Sequence, residues 1–175
     1  MTLTADRRTF TVHRVRPADA ARMRALRLEM LADSPLAFLE TLAQAAARSH
    51  EDYRRRIVQA SAGRALAQFV ADPGARNRLI GHAGGTVMPD DPATTVVFAV
   101  YITPGRRGSG VLAELVEAVA EWSRSVGRAE LMLEVVVGND RAVRAYQRLG
   151  FADTGVRVPH PVHPTLTELQ MRRGA

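Results

Sequence analysis

The sequence contains no cysteine and no lysine. The first absence excludes disulfides, thiolate metal ligands and the enzyme cysteine that a ping-pong acyl transfer most naturally uses. The second excludes a P-loop, whose Gly-Lys-Ser/Thr end needs a lysine on the phosphates. Long apolar runs are also missing: none approaches the ~18 residues that span a bilayer, and Met1 to Phe10 lack the apolar stretch of a signal peptide. A cytoplasmic chain with no membrane contact is therefore expected. All 24 basic residues are arginine, and against 18 acidic residues they give a formal charge of +6. That balance invites a nucleic-acid reading, but only Arg54-Arg55-Arg56 exceeds a pair, and a binder would need a clustered basic stripe. Abundant arginine together with abundant alanine is what GC-rich codon usage produces, so no nucleic-acid partner is expected.

What is present fits one soluble domain spanning 1–175. The chain is 46% hydrophobic and 24% charged, and at 175 residues it can bury a single sizeable core where two would be cramped. No internal repeat and no disordered tail is visible. Phe10 to Val15 alternate like an edge strand, and Arg16-Pro17 opens a helix predicted to run to Ala32, with Met23, Leu26 and Met30 on one face. Asp33-Ser34-Pro35 stops it, and residues 36 to 48 are ambiguous. Ser49-His50-Glu51-Asp52 resembles a capping box before a second helix carrying Tyr53, Ile57 and Val58. Strands are predicted at 65–71 and 79–88, with a turn at Pro89 to Pro92 leading into a central strand. A helix ending near Gly127, a strand at 130–137, a helix at 140–149 and strands at 151–158 and 165–172 follow, the last two joined by Pro159 to Pro164.

The most informative stretch begins at Val96. Val-Val-Phe-Ala-Val-Tyr-Ile-Thr reads as a strand, and Pro104-Gly105-Arg106-Arg107-Gly108-Ser109-Gly110 leads into an amphipathic helix with Leu112, Leu115, Val116 and Val119 at i, i+3, i+4, i+7. Glycines let main chain approach a ligand, and the first turn of a helix offers N–H groups with no partner inside it, together with the positive end of its dipole. This is the outline of an anion-binding turn, with Arg106 and Arg107 able to add bidentate contacts at its rim. Its spelling excludes other Gly-rich sites. The glycines run G-x-x-G-x-G, where a dinucleotide fingerprint needs G-x-G-x-x-G, and Ser109 is flanked by Arg107 and Val111, not by the glycines of a nucleophile elbow.

The remaining pattern resembles the GNAT superfamily of acyl-CoA-dependent N-acetyltransferases, whose signature is Arg/Gln-x-x-Gly-x-Gly/Ala after the fourth strand. Arg107 opens it and Gly110 supplies the first required glycine, while Leu112 stands where the family has Gly or Ala. A second block, Leu133-Glu134-Val135-Val136-Val137-Gly138-Asn139 followed by Tyr146 and Leu149-Gly150-Phe151, is similar to the family's strand, Asn, Tyr-bearing helix and Leu-Gly-Phe. The resemblance covers roughly 75–173 well and the first third loosely.

It implies a mixed α/β fold: a mostly antiparallel sheet with a splayed central strand pair and helices on both faces. It also implies acetyl transfer from acetyl-CoA to a primary amine by direct attack, without a covalent enzyme intermediate. The amides of Arg107, Gly108, Ser109, Gly110, Val111 and Leu112, with Arg106 beside them, would hold the pyrophosphate. The main chain of Val100, Tyr101 and Ile102 would pair with the pantetheine amides and offer an oxyanion donor near Tyr101. Asn139, by type an N-cap, would also touch the pantetheine arm. Tyr146, otherwise a packed mid-helix aromatic, would protonate the leaving thiolate. An alkylammonium acceptor must lose a proton before it attacks, but residues 94 to 103 hold no carboxylate; Glu134 on the next strand is a candidate base through ordered water, and equally reads as an outward-facing strand carboxylate. The divergent first third would wall the acceptor pocket, with Phe38 in that wall and Glu29 and Glu40 orienting a cationic acceptor. Family members often dimerise, and a homodimer is compatible with this reading.

No metal is expected. His160-x-x-His163 is interrupted by prolines with no carboxylate nearby in sequence, a poor ligand set. Trp122 and Phe98 read as core. Two other functions stay open on the residues alone: an acyl-CoA-binding module without turnover, suggested by Leu112 and the carboxylate-free central strand, and an arginine-rich nucleic-acid binder. The acceptor is not written in the sequence.

Overall fold

In the computed structural model, residues 10–74 and 76–175 are described. The expectation that the first ten positions form no leader and no loose tail falls, for 1–9, outside the described residues. Seven strands form one sheet in the order β1-β2-β3-β4-β5-β7-β6. They are β1 (Thr11–Arg14), β2 (Leu66–Asp72), β3 (Gly81–Met88), β4 (Asp91–Ile102), β5 (Glu130–Val136), β6 (Ala152–Pro159) and β7 (Thr167–Gly174). All neighbours pair antiparallel except β4 and β5, the one parallel pair.

Helices α1 (Ala20–Asp33), α2 (Leu42–Ala47) and α3 (His50–Ser61) cover one face, while α4 (Val111–Ser125) and α5 (Asp140–Arg148) cover the other. The two faces hold separate cores. Val111, Leu115, Val116 and Val119 of α4 pack on Val97, Leu131, Leu133 and Val135, and Met23, Leu26 and Met30 of α1 pack with Ile57, Val70 and Tyr101. Leu115, Val116 and Val119, three of the four residues whose helical spacing identifies α4 in the sequence, lie in the stripe it buries, while Leu112 is half-buried and Val111 is buried in its place. Each fully buried side chain of this size contributes roughly 1.5–3 kcal/mol. Glycines in β3 let α4 approach: a Cβ at Gly85 would lie 2.9 Å from Trp122 and from Val119.

Several boundaries differ from the sequence reading. The opening Pro17–Asp19 is a separate 3₁₀ turn, so α1 proper starts at Ala20. The ambiguous segment resolves into a 3₁₀ turn at Pro35–Ala37 and the short α2, capped by Thr41, whose side chain accepts from Gln44 N–H at 3.2 Å. β4 begins at Asp91, earlier than the proline-bounded turn suggests, because Pro92 costs a strand only one N–H. The last two strands sit one or two residues later than expected.

The feature that positions the site is the β4–β5 junction. The two strands pair only from Thr94 to Val96, against Glu130 to Met132, and both continue, to Ile102 and Val136, unpaired with each other. A register shift against β3 puts Ala99 at φ +49°, a conformation that costs a non-glycine residue roughly 1–3 kcal/mol. Buried His82 holds this bulge through Nδ1–H donated to the Ala99 carbonyl at 2.7 Å. The bulge twists β4 away from β5, and the sheet opens.

Candidate active site

The opening is a cleft of about 450 Å³ that passes between β4 and β5 from the α4 face to the α1 face. Its mouth on the α4 side is the glycine-containing turn at 104–110. Gly108 and Gly110 adopt φ +78° and +87°, and a Cβ on either would meet nothing within 4 Å, so the glycines are required by backbone conformation and not by crowding. Ser109 closes the turn with its hydroxyl donating to the Arg106 carbonyl at 2.6 Å. Gly110 is the N-cap of α4, and no side chain caps that end. The start of α5, on the same face, contrasts with it: Asn139 Oδ1 accepts from Ala142 N–H at 3.3 Å. Of the two helix starts beside the cleft, α4 has no side chain on its first-turn amides, whereas α5 has one of its own taken by Asn139.

Most residues singled out in the sequence line this cleft: Val100, Tyr101, Ile102, Arg106, Arg107, Gly108, Gly110, Leu112, Glu134, Asn139, Tyr146 and Phe38. Ser109 lies just outside it, and Val111 is fully buried beneath. The Arg107 side chain does not extend along the rim as expected. Its Nε donates to the Ile102 carbonyl at 3.1 Å, its NH2 reaches Asp33 at 2.5 Å, and its guanidinium lies over the Tyr101 ring. Tyr101 in turn donates to Glu29 at 3.2 Å, and burial beside that carboxylate pushes its hydroxyl up to about 12. Glu29, Tyr101, Arg107 and Asp33 therefore lock α1 to the end of β4. Glu40 sits away from the cleft in a second cavity of about 160 Å³, where it pairs with Arg27 and Arg48. Its charge is already answered there. Phe98 is half-buried across Gly84, in the wall shared by both cavities, and not in the core. The Arg54–Arg56 run is spent partly within α3, Arg54 against Glu51 and Arg55 against Asp52.

Tyr146 lines the cleft from α5, with its ring edge-on to Phe151 at 5.8 Å. Burial holds its hydroxyl well above the ordinary phenol value, so it enters any reaction protonated. On the α1 side of the opening stand Phe38, Glu134 and a carboxylate that the sequence reading missed, Glu168 of β7. Cross-strand partners point to the same face, and Val136 faces Glu168 while Glu134 faces Gln170, so both carboxylates look out on the α1 side of the sheet. Glu168 was invisible because strand register is not spelled locally. Its only sequence signal is the alternation of Thr167 to Met171. Burial and the nearby Glu134 raise Glu168 above the usual carboxylate range. Among the described residues, one group could hold a metal, His13, Asp19 and Asp72, and Arg22 already pairs with both carboxylates.

The Acetyltransferase (GNAT) family profile matches residues 29–151, the span that contains the turn, the splayed strands and Tyr146. The chain belongs to this family. Streptothricin acetyltransferase of Streptomyces lavendulae is 39% identical over 57 residues, 33% of this chain and 30% of that protein. The GNAT acetyltransferase of Streptococcus pneumoniae superposes with a TM-score of 0.77 at 18% identity, covering 94% of this chain and 98% of the other. A Salmonella typhimurium protein solved with acetyl-CoA gives 0.73 at 16% identity, covering 94% and 93%. At such identity the two structures show the shared fold. The chain spans 30% to 55% of the length of the curated relatives it matches. No helix among the described residues is long and apolar enough to cross a membrane.

Proposed function

We propose that this chain is an N-acetyltransferase that passes an acetyl group from acetyl-CoA to a primary amine by direct attack. The observation that carries the reading is the uncapped start of α4 behind Gly108 and Gly110, at the mouth of a cleft made by strands that part. The residues present fit coenzyme A: main-chain N–H groups suit a pyrophosphate, and the unpaired edge of β4 suits the amides of a pantetheine arm. Family membership and the acetyl-CoA bound to the Salmonella protein support the same donor.

When bound, the donor supplies an activated acyl carbon and a thiolate leaving group. The protein's own residues do the rest. The amides of Gly108 to Leu112, with Arg106 near them, hold the phosphates, and Arg107 contributes by fixing the turn to Asp33. The main chain of Val100 to Ile102 lines up the arm and faces an N–H toward the acyl oxygen. Tyr146 gives a proton to the departing sulfur. The acceptor's proton leaves toward the carboxylates on the α1 side, Glu134 among them, and Phe38 shapes that side. No cysteine exists to carry the acyl group, which favours direct attack.

The test is a titration with CoA and a CoA–SH release assay with acetyl-CoA and a panel of amines. Saturable binding together with amine-dependent release is expected. Binding without release from any amine would favour the module without turnover, and no binding at all would overturn the site.

A further inference from the structure

The β6–β7 linker contributes a histidine that no step above uses. His160 is 2% exposed, and its Nδ1 accepts two main-chain N–H groups, from Val162 at 3.1 Å and His163 at 3.0 Å. A nitrogen accepting two donors carries no proton, so the proton of the neutral ring sits on Nε2. That nitrogen points at Glu168 Oε1, 4.0 Å away, just beyond hydrogen-bond range. The Glu168 side chain is 12% exposed and lines the cleft on the face it shares with Glu134. The two carboxylates stand in unlike surroundings: Glu134 is exposed, while Glu168 is shielded and has the buried His160 ring behind it.

We propose that Glu168 is the general base that takes the acceptor's proton, with Glu134 as the outer carboxylate that first attracts the ammonium and His160 as the residue that positions Glu168. This rests on the transferase reading above. The proton moves are as follows. One proton leaves the ammonium for Glu168 and passes on to solvent. As the nitrogen bonds to the acyl carbon and the carbon–sulfur bond breaks, Tyr146 gives its proton to the sulfur, and a second proton from the nitrogen restores the Tyr146 hydroxyl. Amide, thiol and one proton to solvent are the sum. A base works best when its pKa is lifted toward the working pH, and shielding acts on Glu168 in that direction. The titratable groups facing Glu168 are Glu134 from β5 and the neutral His160 from the linker, and β6 faces it with Val158. The expected acceptor class is a cationic alkylamine without a negative group beside the nitrogen, since two carboxylates would repel one.

The experiment follows kcat against pH for the amine selected from the panel. Glu168→Gln should lower kcat at neutral pH by about 10²-fold or more, leave acetyl-CoA affinity within about twofold of the parent, and recover as pH approaches the amine's own pKa. His160→Asn keeps an acceptor for the two N–H groups, since Asn caps such turns with Oδ1, but removes Nε2–H. It should keep the kcat plateau and move the acidic limb to higher pH. Glu134→Gln should act mainly on the amine KM. An active parent whose Glu168→Gln variant keeps both kcat and profile overturns the assignment of the base. An unmoved acidic limb in His160→Asn overturns the role of His160. A parent silent toward every amine brings down the transferase reading and this proposal with it.

Discussion

One wall of the cleft is built from the edge of β4, the 104–110 turn and the start of α4; the other is built from the α1–α2 connection, Glu134 and the β6–β7 hairpin. The first wall offers main chain: amides released by two positive-φ glycines and a strand edge released by a bulge. The second offers side chains, Phe38, Glu134 and Glu168, brought together from segments far apart in the chain. Main-chain recognition demands a particular backbone path, and only certain residues follow it, so it leaves a motif. Side-chain recognition demands only that the right groups meet, so many sequences supply it and none is diagnostic. The donor proposed for this chain is accordingly legible in its sequence, and the acceptor is not.

Substitutions that separate the walls should separate binding from turnover. Replacing Gly108 and Gly110 together by valine forces β-branched residues into left-handed backbone and should weaken CoA binding by about 10²-fold or more in calorimetry. Retained affinity would mean that side chains, not amides, hold the phosphates. Tyr146→Phe stands between the walls and should slow kcat by about 10²-fold while CoA affinity changes little. A loss confined to affinity would move Tyr146 to the donor wall. Phe38→Ala belongs to the second wall and should raise the amine KM by about tenfold, which is about 1.4 kcal/mol, without altering acetyl-CoA affinity. The smallest effect is expected at Asn139: alanine removes a cap and should cost about 1 kcal/mol in thermal unfolding, whereas aspartate keeps it. Should Asn139→Asp nonetheless lose CoA affinity, the amide nitrogen touches the ligand.

His82 gives the comparison a pH axis. Burial lowers its pKa to about 4, so the folded protein keeps the ring neutral where the unfolded chain, near 6.5, would begin to protonate it. The folded state then binds fewer protons, and stability should fall as pH drops from about 6.5 toward 4 and level off below. Unfolding midpoints across that range, compared with His82→Gln, test whether the bulge behind the donor wall is the acid-sensitive point.

Helices with a clear apolar stripe, α4 above all, could be read to within a residue or two because their periodicity is local. The helix at His50–Ser61 was announced by Ser49, which accepts from Asp52 N–H at 3.1 Å. What could not be read depends on contacts across the chain. Arg107 fits an anion-binding rim in the sequence, yet Asp33, 74 positions earlier, claims its guanidinium. Glu40 is suited to a cation, yet Arg27 and Arg48 reach it first. His160 shows no carboxylate nearby in sequence, and the pairing of β6 with β7 supplies Glu168.

Among the described residues, three residue pairs and the Ala129 N–H bond to the Ala93 carbonyl just before them stitch the two halves of the sheet, and below them both strands run on unpaired with each other. A ligand lying in that gap becomes a surrogate strand, finishing in a non-protein material what the polypeptide leaves undone. Saturating CoA should therefore slow amide hydrogen exchange along 97–102 on β4 far more than along the already paired β2, and raise the melting temperature with the logarithm of its concentration. In mechanical terms, a donor bound there would also be the keystone of the fold that acts on it.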